Sequence, residues 1–239
     1  FKSGNSAILR GGKEALKSNI IISHLFRASL KKNNINQDCI QLVNNTDRKI
    51  VDLMLSKMSD YIDIIIPRGG KSLVKKVLEL SKVPTIGHLE GLCHVYLDNQ
   101  YNYNTAEKLI INSKLRRTSI CGAAETLLIH KSVKKNDIYK ILKKLKIQGC
   151  KIIGDKKIKK IFEESILAKE NDWSTEYLDS KISVKIVNNL NEAIDHIKKY
   201  GTNHTECIIS GNKKNIKDFE RRIGSSIIMT NASTQFADG

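Results

Sequence analysis

The sequence predicts an α/β protein built on parallel sheet and divided into two domains. Three observations predict it. Short β-rich runs alternate with helical periodicity along the whole chain. Glycines recur where the strands end. A length of 239 residues accommodates two modest domains. In order, residues 6–9 read as a strand and 14–30 as a helix, then 39–43 as a strand and 47–56 as a helix. The isoleucine-rich run 62–66, ended by Pro67, reads as a strand buried on both faces. A helix over 72–81 and a short strand over 85–87 follow. Beyond Gly91 the alternation resumes, with strands at 94–97, 125–129, 152–153, 184–187, 206–209 and 226–229. Helices are expected at 105–113, 137–145, 193–200 and 216–223. A boundary at Gly91 gives domains of 1–91 and 92–239. There is no internal repeat and no low-complexity linker.

Composition narrows the class. The chain is 40% hydrophobic and 28% charged, with 2 prolines and 14 glycines, the balance of a soluble globular protein. No apolar run approaches the ~20 residues that span a bilayer. The net charge of +16 is spread over many segments rich in Asn and Ile, and only 5% of residues are aromatic. That reads as a compositional habit and not as a nucleic-acid footprint. The densest basic stretch, 131–160, spaces its lysines among Ile and Leu as a solvated face does. Cys39, Cys93, Cys121, Cys150 and Cys207 are odd in number and form no CxxC pair. They fit neither a zinc site nor a disulfide framework, and read as reduced thiols. The opening FKSGNSAILRGG has no apolar core and no initiator Met, so the sequence reads as a piece of a longer chain.

Five segments can carry chemistry. Arg10-Gly11-Gly12-Lys13 lies between a strand and a helix, and Pro67-Arg68-Gly69-Gly70 repeats that setting. Each is either a plain βα turn or a phosphate-binding turn, with the pair favouring a phosphate or dinucleotide site. Neither is GxGxxG. In Arg116-Arg117-Thr118-Ser119-Ile120-Cys121-Gly122-Ala123-Ala124, a thiol precedes residues able to open a helical turn, a setting that lowers a thiol pKa. On the residues alone, Cys121 is either a nucleophile or a structural cysteine, while the other four sit in apolar stretches. His88, Glu90 and His94 suggest either acid–base work or metal ligation, though not at a known zinc spacing; His94 reads as a core residue and His88 as the better functional candidate. The polar run from Asn231 to Gly239 follows a strand and is either a site loop or a solvated one.

GNSAILRGGKEALKSN, YIDIIIPRGGKSLV, VPTIGHLEGLCHVYLD, RRTSICGAAETLLIH, YGTNHTECIIS and SSIIMTNASTQFADG, in that order, resemble the gamma-glutamyl phosphate reductase family of the aldehyde dehydrogenase superfamily. The resemblance runs from Gly4 to Gly239 and is least distinctive over 134–185. It implies an aldehyde-dehydrogenase-like fold, a Rossmann-type cofactor domain followed by an α/β catalytic domain, with parts of both missing. It implies a cytoplasmic enzyme of proline biosynthesis that uses NADPH to reduce L-glutamyl 5-phosphate to glutamate 5-semialdehyde and phosphate. Cys121 then falls at the catalytic thiol, and Arg10, Gly11, Gly12 and Lys13 at a cofactor turn, with Lys13 suited to the 2′-phosphate of NADP. Pro67, Arg68, Gly69 and Gly70 are assigned to the same cofactor. Arg117, Asn231, Ser233 and Thr234, with Arg116, are the candidates for holding the anionic substrate. His88 stands near where an ordinary aldehyde dehydrogenase carries its base Glu, which disfavours thioester hydrolysis. No metal is expected, and the full-length chain is expected to oligomerise. The alternatives are a hydrolytic aldehyde dehydrogenase, the reductase part of a kinase–reductase fusion (delta-1-pyrroline-5-carboxylate synthase), or a basic nucleic-acid-binding module.

Overall fold

The computed structural model describes residues 3–87 and 90–236, the Lys71 side chain excepted. His88 and the last three residues therefore lie outside the described residues. The chain divides into two compact units, 1–87 and 88–239. Gly91, where the sequence places the boundary, falls inside the second.

In the first unit, β1 (Ala7–Leu9) and β2 (Ile40–Leu42) pair in parallel, with Ala7 opposite Ile40 and Leu9 opposite Leu42. They are joined by α1 (Leu16–Lys32). α2 (Arg48–Lys57) follows, its first turn capped by the Asp47 carboxylate, which accepts from the Lys49 N–H at 2.9 Å. α3 (Lys71–Leu80) completes the unit. The strand expected over 62–66 is reduced to a single parallel bridge between Ile65 and Thr85. Ile64 and Ile66 are 45% and 58% exposed, so the run is not buried on both faces. Its partner segment begins after Pro84, whose ring removes a ladder donor, and Pro67 does the same at the other end.

The second unit carries a seven-stranded parallel sheet. Its strands are β3 (Cys93–Leu97), β4 (Ala124–His130), β5 (Lys151–Gly154), β6 (Ile166–Leu167), β7 (Lys181–Val187), β8 (Thr205–Ile209) and β9 (Ile227–Thr230). Their order across the sheet is β6-β5-β7-β4-β3-β8-β9. Helices lie on both faces, so β3, β4 and β8 are buried throughout and read as apolar runs. On one face, Val95, Leu127 and Ile129 pack against α4 (Tyr103–Leu115) and α5 (Lys135–Ile147) through Ile110, Ile141 and Leu142. On the other, Tyr96, Leu128 and Ile208 meet Ile194, Ile197 and Phe219 of α7 (Leu190–Tyr200) and α8 (Lys213–Arg222).

The basic run KKIKKI, read as part of a solvated face, forms a short helix α6 (Lys156–Ile161) that buries Ile158. Asp155 caps it by accepting the Ile158 N–H at 2.7 Å. Among the described residues no helix is long and apolar enough to cross a membrane.

Candidate active site

Cys121 is half-buried in the loop 116–123 between α4 and β4. The Ala123 N–H closes a turn on the Ile120 carbonyl at 3.0 Å. The thiol does not open a helix, because Ala124 already pairs with Cys93 of β3 as the first residue of β4. Strand pairing on both sides of Thr126 and Leu127 overrides the helix preference of the two alanines. Cys121 therefore stands at the amino end of its strand, opposite to the carboxyl ends where open α/β sheets usually bind ligands.

Three supports hold this loop. The first is Gly91. A Cβ there would lie 2.5 Å from both the Cβ and the carbonyl oxygen of Cys121, so only glycine fits. The Gly91 N–H is held by the Glu176 carboxylate at 2.9 Å. Beside it, the Cys93 thiol donates to the Cys121 carbonyl at 3.0 Å. The second is the segment after β9. The Gln235 carboxamide donates to the Ser113 and Arg117 carbonyls at 2.8 and 3.1 Å. Thr234 lies against Gly122, and its buried hydroxyl has no partner among the described residues.

The third support is a buried ion pair. Lys114, in the last turn of α4, donates to Glu125, the second residue of β4, at 2.6 Å, and both side chains are fully buried. Burial pushes the Glu125 carboxyl up to about 7, with the Lys114 ammonium opposing the rise. The other thiols of the unit are held protonated by burial: Cys93 well above its ordinary value, Cys150 and Cys207 at about 12. All five cysteines are outside any disulfide.

The expected substrate residues separate. The Arg117 side chain is exposed at the edge of the thiol loop, and Arg116 sits over the Phe236 ring at 5.2 Å. Asn231 adopts a left-handed φ of 50°. Its amide grips the backbone of Ser210 twice, at 3.0 and 2.9 Å, away from the thiol. The Ser233 hydroxyl is fully buried between Ser113 and the Gln235 N–H. His94 is the core residue its setting suggested, with Nδ1 3.0 Å from Glu206. Sequence reasoning missed Lys114, Glu125, Ser113, Glu176 and Gln235. The one available signal was Glu125 itself, a charge inside an apolar strand, which demands a buried partner.

In the first unit, the two glycine turns have the same shape. Gly12 precedes a short 3-10 turn with φ −69°, ψ 161°, and Gly70 precedes α3 with φ −68°, ψ 162°. Neither start is capped by a side chain, unlike α2. At Gly70 the position a Cβ would take is open, with nothing within 4 Å of it. Gly69 is tighter, its Cβ position lying 2.9 Å from Leu73. Pro67 packs on Gly87, and Arg68 and Lys13 are exposed. The Arg10 guanidinium donates to the Thr46 carbonyl at 2.9 Å, while its Nε is buried with no partner among the described residues.

No family model matches the chain. The gamma-glutamyl phosphate reductase of Mesorhizobium japonicum is 44% identical over 239 residues, 100% of this chain and 56% of that protein. That of Zymomonas mobilis is 44% identical over 237 residues, 99% of this chain and 55% of that protein. The chain is a homologue of the gamma-glutamyl phosphate reductases. The crystal structure of the Thermotoga maritima reductase agrees, with a TM-score of 0.93 at 39% identity over 100% of this chain and 57% of that one. The Rhodopseudomonas palustris propionaldehyde dehydrogenase with bound propionyl-CoA shares the fold, with a TM-score of 0.73 at 16% identity, over 98% of this chain and 59% of that one. The chain spans a little over half the length of the reductases it matches.

Proposed function

We propose that the protein containing this chain is a cytoplasmic NADPH-dependent gamma-glutamyl phosphate reductase of proline biosynthesis with Cys121 as its nucleophile. The observation that carries the reading is the placement of that thiol. Cys93, Cys150 and Cys207 are core thiols and Cys39 is half-buried in the first unit, whereas Cys121 is half-buried in a loop held from three sides. A held, accessible thiol beside positive charge is what an acyl transfer needs. The Cys121 thiolate attacks the acyl-phosphate carbonyl, the C–O bond to phosphate breaks, and a thioester remains on Cys121. The backbone N–H of Cys121 is the donor this reading assigns to the developing oxyanion. The exposed Arg117 supplies charge for the anionic substrate, and the buried Thr234 acts by packing against Gly122. Asn231 and Ser233 act by holding the segment that carries Thr234.

The cofactor reading rests on the two uncapped glycine turns. Two helix starts without a side-chain cap suit a dinucleotide phosphate, the Gly70 start more than the Gly12 start, against which the Glu14 carboxylate lies, and Lys13 and Arg68 fit an additional phosphate. Bound there, NADPH supplies the hydride that reduces the thioester to the aldehyde. Arg10, Gly11, Gly12, Pro67 and Gly69 shape the two turns.

The test follows NADP reduction by the intact protein with glutamate 5-semialdehyde, with and without inorganic phosphate, for wild type and Cys121→Ala. Phosphate-dependent reduction, lost by a factor of about 10³ or more in Cys121→Ala, is the expected result. Reduction that ignores phosphate means a hydrolytic dehydrogenase instead.

A further inference from the structure

We infer that the buried Lys114–Glu125 ion pair is a positioning device that fixes both roots of the thiol loop and so sets the presentation of Cys121. The inference rests on Cys121 being the nucleophile.

The loop 116–123 has two roots, the last turn of α4 and the first residues of β4. Lys114 belongs to one and Glu125 to the other, and their heads meet at 2.6 Å with neither side chain exposed. A buried pair of this kind is poor evidence for stability, because desolvating two charges offsets their attraction, and apolar residues fill the same volume as well. What the pair supplies over an apolar contact is direction: one bond length and one angle between the two roots.

The carboxylate also does a second job. Its other oxygen accepts the Leu178 N–H at 3.2 Å. Leu178 holds a left-handed φ of 50°, which a branched side chain avoids unless its surroundings impose it. Two residues earlier, Glu176 holds the Gly91 N–H, and Gly91 abuts the Cys121 backbone with no space between. Lys114, Glu125, Leu178, Glu176, Gly91 and Cys121 thus form one closed circuit around the loop. Glu125 is the member that joins its two arms. Neither charge is needed to touch substrate. Their effect on the thiol passes through the backbone.

The experiment uses the intact protein and three variants. Glu125→Gln keeps the size and loses the charge. Lys114→Met with Glu125→Leu removes the pair without leaving a buried orphan charge. Lys114→Arg keeps the pair. Alkylation of Cys121 by iodoacetamide is followed by peptide mass spectrometry between about pH 6 and 9, with half-buried Cys39 as internal reference. Turnover, KM for NADPH and thermal midpoint are measured alongside. In folded Glu125→Gln and in the double variant, Cys121 alkylation and kcat fall by about tenfold or more, with KM and Cys39 alkylation within about twofold. Lys114→Arg stays within about threefold of wild type. A folded Glu125→Gln or double variant whose Cys121 alkylation profile overlays the wild type overturns the proposal. If the double variant does not fold, Glu125→Gln decides alone. A wild type without reductase activity defeats the functional reading and leaves the alkylation comparison to decide the pair.

Discussion

The two units bury their apolar residues in opposite ways. In the second, β3, β4 and β8 are buried along their whole length, and helices cover both faces of the sheet. In the first, among the described residues, only Leu30, Leu55, Val74, Val77 and Val83 form the buried apolar set. There α1 leaves Ile21, Ile22, Leu25 and Phe26 more than half exposed, and β1 leaves Leu9 at 49%. A helix apolar on so much of its surface belongs to an interior. The chain spans a little over half the length of the reductases it matches, so the contrast is between a unit that closes its core within these residues and one that leaves an apolar face uncovered by them.

The sharpest way to test that contrast is a pair of leucine truncations read by urea unfolding. Leu127→Ala, at a fully buried position on β4, is expected to cost about 3–4 kcal/mol. Leu25→Ala, where the side chain is 67% exposed, is expected to change stability by under about 0.5 kcal/mol in this chain. A large cost at Leu25 breaks the comparison, because it means that α1 is covered after all.

A smaller contrast concerns glycines. Gly91→Ala forces a Cβ to within 2.5 Å of Cys121, and Cys121 backbone is on the far side of that contact. The expected cost is about 1–3 kcal/mol, with loss of turnover in the intact protein. Gly70→Ala meets open space at φ −68°, a conformation alanine adopts freely. Its stability is expected to hold or rise by about 0.5 kcal/mol. If it also weakens NADPH binding, as read from KM, the N–H groups around Gly70 are in contact with the cofactor. Equal costs at the two glycines would show that the thiol loop yields more easily than its packing suggests.

Legibility in the sequence followed the same division. β3, β4 and β8 were readable because strands buried on both faces write unbroken apolar runs. The isoleucine run 62–66 writes the same signal and is not such a strand, since pattern alone cannot show that among the described residues its strand pairing is limited to one bridge with Thr85. Cys121, which the structure places in a loop between α4 and β4, was singled out by its local motif and family resemblance. Its supports were not, because Lys114 and Glu125 meet only when α4 and β4 are packed side by side, and Gln235 reaches the loop from over a hundred residues away. Ser233 and Asn231 looked like ligand residues because polar side chains in a loop look alike, whether they face a substrate or a buried backbone.

The last contrast concerns pH and stays within the second unit. Burial pushes the His196 imidazole down to about 2 from its ordinary 6.5, with His94, Lys185 and Lys199 adding to the shift. The unfolded chain takes up a proton there as pH falls through 6.5 and the folded chain does not. That contribution to stability is present above 6.5 and is lost below it. Glu125 runs the other way. Its folded carboxyl binds a proton below about 7 and its unfolded one only below 4.5, so folding gains as pH falls between those values. From 6.5 to 4.5 the two slopes, each about 1.4 kcal/mol per pH unit at most, oppose one another. The wild-type contribution of the pair is therefore nearly flat there. Glu125→Gln removes the rising arm, so its urea midpoint is expected to drop faster than wild type on acidification. His196→Gln removes the falling arm and is expected to drop more slowly. Parallel midpoint curves for all three proteins would mean that neither group titrates differently in the folded and unfolded chains. A difference in Glu125→Gln alone would locate the effect at the Lys114–Glu125 pair, and so at the roots of the thiol loop.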